Sequence, residues 1–282
     1  MESIKELIAN AYQEDIPHGD VTTDNLEIRS RIGSAHLIAK EDLVLSGTSV
    51  FEQCLLHIDP DVKIKWYFQD GETALTQQTI ALIQGDLVKL LTAERVALNF
   101  LGRLTGVSTA TKLFVKALGK SSTQILDTRK TTPLLRSLEK QAVLHGGGQN
   151  HRMNLSDAAM LKENHLHLFG GDIIQAVKRI RKNSPETRIT VETTNLDEVR
   201  SAVESECDQI LLDNMDITEM AVAIEMIPDT IKTEASGNIT LDRIPKVAEL
   251  GLDYISVGAI THSSDCADLS LLFHWEKQIE SP

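Results

Sequence analysis

The sequence predicts an α/β chain in which an N-terminal α+β segment precedes a parallel α/β barrel. Strand-like runs separated by glycine and aspartate turns occupy residues 34–91, and short aliphatic runs alternate with helical patterns after residue 120. The 282 residues can hold a barrel-sized domain with a smaller one, and an apolar content of 41% is enough for a full core.

The N-terminal segment is expected to combine short helices with strands. Residues 4–12 show an amphipathic pattern and residues 49–58 a second helical one. Thr92 is expected to cap a longer helix that breaks near Gly106 and resumes to about Leu118. The expected strands are 35–39, 62–68 and 86–91.

After residue 120 the pattern is that of βα units, and six or seven such units close most readily as a barrel. Each aliphatic run ends in a polar or glycine residue, at the edge where barrels build their sites. One such residue is more simply a strand terminator or helix cap, so the prediction rests on six aligned ends. The runs are 124–127, 159–162, 189–192, 209–213, 231–234 and 254–258.

Composition restricts the class of partner. A net charge of −13 argues against nucleic acid and membrane surfaces, and no apolar run approaches the ~20 residues that span a bilayer. The acidic, amphipathic N-terminus is unlike a signal or transit peptide. Cys54, Cys207 and Cys266 are scattered, which supports neither a disulfide framework nor a zinc site, so a cytoplasmic protein is expected.

A basic stretch inside this acidic chain is the main functional signal. Residues 127–167 carry cations at predicted strand ends and around the turn Gly146-Gly147-Gly148, where backbone can approach a ligand. Arginine forks and lysine point charges suit carboxylates and phosphates. The stretch therefore predicts a pocket for a small, strongly anionic substrate. Its basic residues are Arg129, Lys130, Arg136, His151, Arg152 and Lys162.

Glu192 and Asp213 form an acidic counterpart at neighbouring strand ends. Such a pair could hold Mg²⁺, accept hydrogen bonds from ribose hydroxyls or stabilise positive charge. Two carboxylates alone would also fit a glycosidase. Beside the cations, a phosphorylated sugar that becomes oxocarbenium-like fits better.

Two features add to this pattern. The loops after the last two runs contain Ser236-Gly237 and Gly258, and late glycine loops in barrels bind phosphate. Arg95 is expected in the first helical turn after Thr92, where a positive charge interacts unfavourably with the helix dipole at a cost of about 0.3–1 kcal/mol. It therefore either pairs with a surface carboxylate or reaches into a site.

Several motifs together resemble the quinolinate phosphoribosyltransferase family, also called carboxylating nicotinate-nucleotide pyrophosphorylase. The similarity covers nearly the whole chain, and its blocks at 128–133, 151–152 and 162–165 are specific in this order. The blocks are TRKTTP (128–133), GGGxNHR (146–152), LKENH (161–165), EDxxxGDxTT (14–23), ERxALN (94–99), LDNM (212–215), EASG (234–237) and VGAITHS (257–263).

The resemblance implies a two-domain enzyme. Residues 1–104 would form an α/β sandwich, to which a C-terminal helix over about 264–282 would return, and residues 105–263 an incomplete, about seven-stranded TIM-like barrel. The enzyme would convert quinolinate and phosphoribosyl pyrophosphate (PRPP), with Mg²⁺, to nicotinate mononucleotide, pyrophosphate and CO₂ in NAD biosynthesis. It would be a homodimer or dimer-based hexamer whose sites are shared between subunits.

The resemblance also implies residue roles. Quinolinate would be bound by Arg95 from the neighbouring subunit and by Arg129, His151, Arg152 and Lys162. PRPP would be bound by Lys130, Glu192, Asp213, Ser236, Gly237, Gly258 and His262, with Lys162 also meeting the pyrophosphate. Lys130, Lys162, Glu192 and Asp213 would be catalytic, and the two acids would also meet Mg²⁺, partly through PRPP.

The chain departs from the family pattern at Pro17, where glycine is usual, and at Thr190, Thr194 and Asn238, which bear on metal, ribose and phosphate binding. Two rival functions remain. A paralogue associated with molybdenum transport would be expected to alter the TTP and KENH blocks, which are intact. A non-catalytic sensor of PRPP or pyridine carboxylates would not need the acidic pair.

Overall fold

The computed structural model describes residues 4–274, which divide into two compact units. The first unit comprises residues 4–110, 144–146 and 264–274, and the second comprises residues 111–143 and 147–263. The boundary expected between residues 104 and 105 falls inside a continuous helix. None of the described helices has the length and apolar character needed to cross a membrane.

The elements follow in chain order. The first are α1 (Ile4–Asp15), α2 (Val21–Asn25), β1 (Ile32–Ala39), β2 (Leu43–Val44), α3 (Thr48–Ile58), β3 (Lys63–Trp66), β4 (Thr73–Ala74), β5 (Thr79–Asp86) and α4 (Leu87–Ala117). Next come β6 (Gln124–Leu126), α5 (Arg136–His145), β7 (Ala159–Leu161), α6 (Glu163–Phe169), α7 (Ile173–Asn183), β8 (Ile189–Thr193), α8 (Leu196–Glu204) and β9 (Gln209–Asp213). The last are α9 (Ile217–Met226), β10 (Lys232–Ser236), α10 (Ile244–Ala248), β11 (Tyr254–Ser256), α11 (Ala259–His262) and β12 (Leu269–His274).

The first unit is built on a four-stranded antiparallel sheet in the order β12-β1-β5-β3. Along β1, Ala35, Leu37 and Ala39 are fully buried while the residues between them are partly exposed, the period-2 pattern of a sheet with one covered face. Helix α3 packs on this sheet through Phe51, whose ring meets Trp66 edge to face at 5.7 Å between centroids.

The start of α4 differs from the prediction. The strand expected over residues 86–91 is wrong, because β5 ends at Asp86 and the helix begins at Leu87, not after Thr92. The Asp86 carboxylate accepts the Val88 N–H at 3.0 Å and so satisfies one of the first helical donors. A short apolar run does not distinguish strand from helix. Arg95 consequently lies beyond the first turn of α4 and is exposed.

Helix α4 does not break at Gly106. A Cβ atom at this position would lie 1.8 Å from the Asp265 carbonyl oxygen, so glycine is needed because the 265–267 backbone passes directly against the helix. One turn earlier, Gly102 accepts the Ala267 N–H at 2.9 Å. The glycine marks a close packing contact inside a regular helix.

The helix expected over about 264–282 is also wrong where the structure describes it. Residues 269–274 form β12, which pairs antiparallel with β1 from Leu269↔Ala39 to His274↔Ser34. Leu271 is buried between more exposed neighbours, the alternation of a strand. The rest of the expected helix, residues 275–282, lies outside the described residues.

The second unit contains a six-stranded parallel sheet in the order β6-β11-β10-β9-β8-β7. An isolated parallel bridge between Leu126 and Gln149 adds a seventh position beside β6. The parallel register, for example Ser236↔Asp213, brings the carboxyl ends of the strands to one edge. This confirms the mixed α/β class with a parallel barrel-like second unit.

The contact at Gly106 gives a testable prediction. Gly106→Ala should lower the free energy of unfolding by about 1–3 kcal/mol, because the Asp265 backbone must move, even though alanine favours a helix by up to about 1 kcal/mol. Urea denaturation measures the change. Gly102→Ala, where the new Cβ lies 3.1 Å from the Ala267 oxygen, is the matched control and should lose less. A Gly106→Ala protein as stable as the parent would contradict this packing argument.

Candidate active site

A cavity of about 610 Å³ opens at the carboxyl ends of the parallel strands. Its lining comes entirely from the second unit, and it combines cations, carboxylates and small polar groups. The lining residues are Thr128, Arg129, Lys130, His151, Arg152, Met160, Lys162, Glu192, Leu211, Asp213, Asn214, Glu234, Ser236, Gly237, Asn238 and Ser256.

This cavity is lined by most of the site residues that the sequence predicts. Arg95, Gly258 and His262 are not in the lining, although a Cβ at Gly258 would lie 3.1 Å from atoms of both Lys130 and His262. Gly258 therefore provides space for those two side chains. The residues in the lining are Arg129, Lys130, His151, Arg152, Lys162, Glu192, Asp213, Ser236 and Gly237.

The glycine turn at 146–148 and Arg136 have structural roles. A Cβ at Gly148 would lie 2.8 Å from Thr111 and 2.9 Å from Val143, so this glycine permits packing within the unit; the three glycines are not in the cavity lining. Arg136 donates to the Thr131 hydroxyl at 2.9 Å and to the Met153 carbonyl at 3.3 Å. It therefore ties the loop after β6 to the loop before β7.

Arg129 and Arg152 form a mutually repelling pair. Burial, followed by the charge of Arg129, lowers the pKa of Arg152. Arg152 is held by donating to the Ala158 carbonyl at 2.7 Å, whereas the buried Arg129 Nε has no hydrogen-bond partner. Two partly desolvated guanidinium groups, of which Arg129 has an unused buried donor, match an anionic ligand.

Lys162 and Glu192 form an ion pair across the ends of β7 and β8. Lys162 directly follows β7 in extended conformation (φ −117°), and its side chain is 44% exposed, compared with 15% for Glu192. An ion pair of this exposure is weak. Both side chains can therefore exchange partners when a ligand enters.

The opposite side of the cavity is shaped by Asn214, Gly237 and Asn238. A Cβ at Gly237 (φ +91°) would lie 2.3 Å from Asn214 Oδ1, so no other residue fits there without displacing Asn214. Asn238 also has a left-handed backbone (φ +47°), which asparagine tolerates, and donates to Asn214 Oδ1 at 3.2 Å. Asn214 in turn donates to Asp213 at 2.8 Å. This network links the Asp213 carboxylate to the loop after β10.

A fully buried ion pair anchors the loop that carries His151. Asp127, at the end of β6, contacts Lys140 of α5, and Lys140 also donates to the His151 carbonyl at 2.9 Å. Asp127 accepts the His151 N–H at 2.8 Å. Burial raises the pKa of Asp127 and lowers that of Lys140, so desolvation opposes both charges and their mutual contact offsets it.

Glu234 is the main residue that the sequence reasoning did not assign to the site. It is fully buried, lines the cavity, and its Oε2 lies 3.3 Å from His151 Nε2. The signal was present, since Glu192, Asp213 and Glu234 recur at equal spacing and end three successive runs expected from the sequence. In the structure Glu234 lies within β10, level with Glu192, because both residues pair with Leu211 of β9. The recurrence would have grouped Glu234 with the other two carboxylates.

Comparison with known proteins identifies the family. The description "Quinolinate phosphoribosyl transferase, N-terminal domain" matches residues 20–105, and the corresponding C-terminal domain matches residues 107–272. Together they cover most of the chain.

Individual relatives point to the same family. The chloroplastic carboxylating nicotinate-nucleotide pyrophosphorylase of Arabidopsis thaliana is 38% identical over 98% of this chain and 84% of its own length. The probable carboxylating nicotinate-nucleotide pyrophosphorylase of Synechocystis is 40% identical over 92% of this chain and 88% of its own. The solved nicotinate-nucleotide pyrophosphorylase of Francisella tularensis superimposes with a TM-score of 0.92 at 35% identity, covering 96% of each chain. The chain belongs to the quinolinate phosphoribosyltransferase family.

Proposed function

We propose that the cavity at the strand ends of the second unit is the place where this chain carries out the reaction of its family. That reaction joins quinolinate to the phosphoribosyl group of PRPP and releases pyrophosphate and CO₂, giving nicotinate mononucleotide for NAD biosynthesis. The observation that carries the assignment is one cavity that combines four Arg and Lys side chains with carboxylates. Quinolinate and PRPP are both polyanions, and the transferred ribose becomes cationic, so both signs of charge are required.

The guanidinium side of the cavity is assigned to quinolinate. Arg129 and Arg152 have unused or weakly solvated donors, and His151 lies beside them. Arg95, which is exposed on α4, is assigned to the same ligand in a second copy of the chain. The proposed assembly is therefore a homodimer, or a hexamer built from such dimers, with shared sites.

The other side is assigned to PRPP. Lys130 and Lys162 would meet the pyrophosphate, and Glu192 and Asp213 the ribose hydroxyls. The 5′-phosphate would lie at the late loops, where Ser236 and Gly237 line the cavity and Gly258 and His262 adjoin Lys130. Binding of the pyrophosphate would take Lys162 from Glu192 and leave that carboxylate free for the ribose.

The chemistry follows from these positions. The bond between ribose C1 and pyrophosphate breaks with both electrons leaving on oxygen, and the lysines stabilise that charge. Glu192 and Asp213 stabilise the cationic ribose, and the pyridine nitrogen then supplies the electron pair of the new bond. The ring, now cationic, accepts the electrons released when the 2-carboxylate leaves as CO₂, and C2 takes up a proton. Arg129 and Arg152 orient the ring for these steps.

Mg²⁺ is proposed to arrive with PRPP. Among residues 4–274 no cluster of three or more metal-ligating side chains is present, so a preformed protein site is not indicated. Glu192 and Asp213 suit an ion held by one or two carboxylates and substrate oxygens, the usual mode for Mg²⁺. Bound there, the ion would neutralise charge on the leaving pyrophosphate.

A cytoplasmic location is proposed from the cysteines. Cys54, Cys207 and Cys266 are free thiols, and the first two are buried, so none of the three forms a disulfide. Unpaired thiols fit a reducing compartment.

The direct test of the proposed function is product formation. Protein mixed with quinolinate, PRPP and Mg²⁺ should yield nicotinate mononucleotide and CO₂ in equal amounts. Turnover of nicotinate but not quinolinate would overturn the substrate assignment and favour a paralogue with another substrate. Binding of both ligands without turnover would favour the sensor.

Arg152→Ala tests the quinolinate side. We expect it to weaken binding of quinolinate and nicotinate equally, by about 10–100-fold, because the carboxylate that stays should be held more tightly than the one that leaves. Ligand titration measures both affinities. Arg200→Ala, which removes an exposed arginine of α8, is the control. A loss confined to quinolinate would count against this arrangement.

Arg95 gives a test of shared sites. Arg95→Ala and Lys162→Ala should each be nearly inactive, but a reassorted mixture should recover about a quarter of the parent activity, since half the dimers are mixed and each has one intact site. Activity after mixing, mild dissociation and reassembly measures this. Two variants that stay inactive together, while native mass spectrometry shows mixed dimers, would place Arg95 in its own subunit's site. An Arg95→Ala variant that is active on its own would place Arg95 outside any site.

A further inference from the structure

Three buried side-chain atoms lack a hydrogen-bond partner within the described part of the chain, and all three belong to residues that line the cavity. They are Arg129 Nε, His151 Nε2 and Glu234 Oε1. The first two are nitrogens that can donate to a carboxylate ligand. Glu234 is different, because it places a carboxylate beneath a pocket for anions.

The burial of the Glu234 carboxylate next to a site for anions is energetically unfavourable. The carboxylate is fully buried, so it has lost its hydration, and its charge opposes the binding of an anion nearby. The proposed ligand quinolinate is a dianion without a hydrogen-bond donor, so it cannot compensate the charge of Glu234. The contacts of Glu234 with the protein therefore have to account for it.

One of those contacts is with the ring of His151. The Arg152 N–H donates to His151 Nδ1 at 2.7 Å, so Nδ1 is an acceptor and the ring hydrogen lies on Nε2. Nε2 faces Glu234 Oε2 at 3.3 Å. The ring is thus hydrogen-bonded on one side by the backbone of the next residue. On the other side Nε2 lies close to a carboxylate without a hydrogen bond to it, so that contact is electrostatic.

Glu234 is itself held from inside the barrel. Its Oε2 accepts a hydrogen bond from the Gln209 side-chain amide, whose oxygen accepts one from Arg188. Gln209 is 3% exposed, so this arrangement is largely shielded from solvent. A continuous polar series therefore runs from Arg188 through Gln209 and Glu234 to His151, and through Nδ1 to the backbone of Arg152.

We propose that Glu234 is a positioning residue for quinolinate binding, acting through His151. The Arg152 N–H sets the tautomer of the imidazole, and the Glu234 carboxylate, 3.3 Å from Nε2, restrains its rotation. Because the same ring accepts the Arg152 N–H, its position also sets the backbone from which the Arg152 side chain extends. The Asp127–Lys140 pair fixes the backbone of His151, and Glu234 fixes its ring. This inference rests on the proposed function, in which His151 and Arg152 bind quinolinate.

A double-mutant cycle tests it. Glu234→Gln keeps the shape of the side chain and removes its charge, and His151→Asn removes the ring. Each variant should raise the KM for quinolinate by about tenfold and change the KM for PRPP by less than about twofold, and the double variant should be no worse than His151→Asn alone. Additive effects of the two substitutions would show that Glu234 does not act through His151 and would overturn the proposal.

The ring of His151 provides a readout that a purely structural role would not move. In ¹⁵N-labelled protein, His151 should show the Nε2–H tautomer that the Arg152 N–H selects. Glu234→Gln should keep that tautomer but change the nuclear Overhauser contacts of the ring hydrogens, because the ring is no longer restrained in rotation. Glu139→Gln is the matched control, since it alters another fully buried glutamate of the same unit that is not in the cavity lining. An unchanged set of His151 ring contacts in Glu234→Gln would overturn the proposal.

Two further outcomes distinguish failure of this proposal from failure of the proposed function or of protein folding. If His151→Asn leaves the quinolinate KM unchanged, the assignment of His151 in the proposed function is wrong. In that case a raised quinolinate KM in Glu234→Gln would still support positioning of Arg152, and an unchanged KM would overturn it. If Glu234→Gln does not fold, Gln209→Leu removes the amide donor and keeps the carboxylate. That variant should raise the quinolinate KM in the same direction, and a parent-like KM would count against the proposal.

Discussion

The buried contact between Asp127 and Lys140 is the interaction on which the site depends most. It joins the end of β6 to α5 and fixes both the N–H and the carbonyl of His151. Removing one partner of such a pair leaves an uncompensated charge in the interior, at a cost of about 3–5 kcal/mol. Since Asp127 immediately precedes Thr128-Arg129-Lys130, one buried charge pair organises both basic segments of the cavity.

The cavity is arranged around charges that the protein alone leaves only partly satisfied. Arg129 and Arg152 repel one another, and Arg129 has an unused buried donor. The fold, rather than mutual attraction, holds these groups in place. Arg152 donates to the Ala158 carbonyl, and the Asp127–Lys140 pair anchors the chain next to both arginines. A pocket preorganised in this way needs little rearrangement when an anion binds, and that is the usual source of strong electrostatic recognition.

The sequence was sufficient for the parallel unit and for most of the cavity lining, because periodic strand ends and charged residues both follow from local pattern. It failed where tertiary contacts decide. A glycine such as Gly106 predicts a helix break in local sequence, whereas its real role depends on the close approach of the Asp265 backbone, which local sequence does not show. The helix expected over about 264–282 is replaced at residues 269–274 by a strand, because these residues pair with β1, which is distant in the chain. Glu234 was not assigned to the site although its spacing from Glu192 and Asp213 follows the same recurrence, because its contact with His151 joins two distant elements.

The ion pair between Lys162 and Glu192 has a consequence for ligand discrimination. An inorganic phosphate that takes Lys162 leaves Glu192 without its cation, so part of the binding free energy is lost in breaking the pair. A ligand that carries phosphates at one end and hydroxyl donors at the other can satisfy both released groups. Under the proposed assignment, the unliganded pair, although weak, therefore adds a modest preference for a sugar phosphate over simple anions.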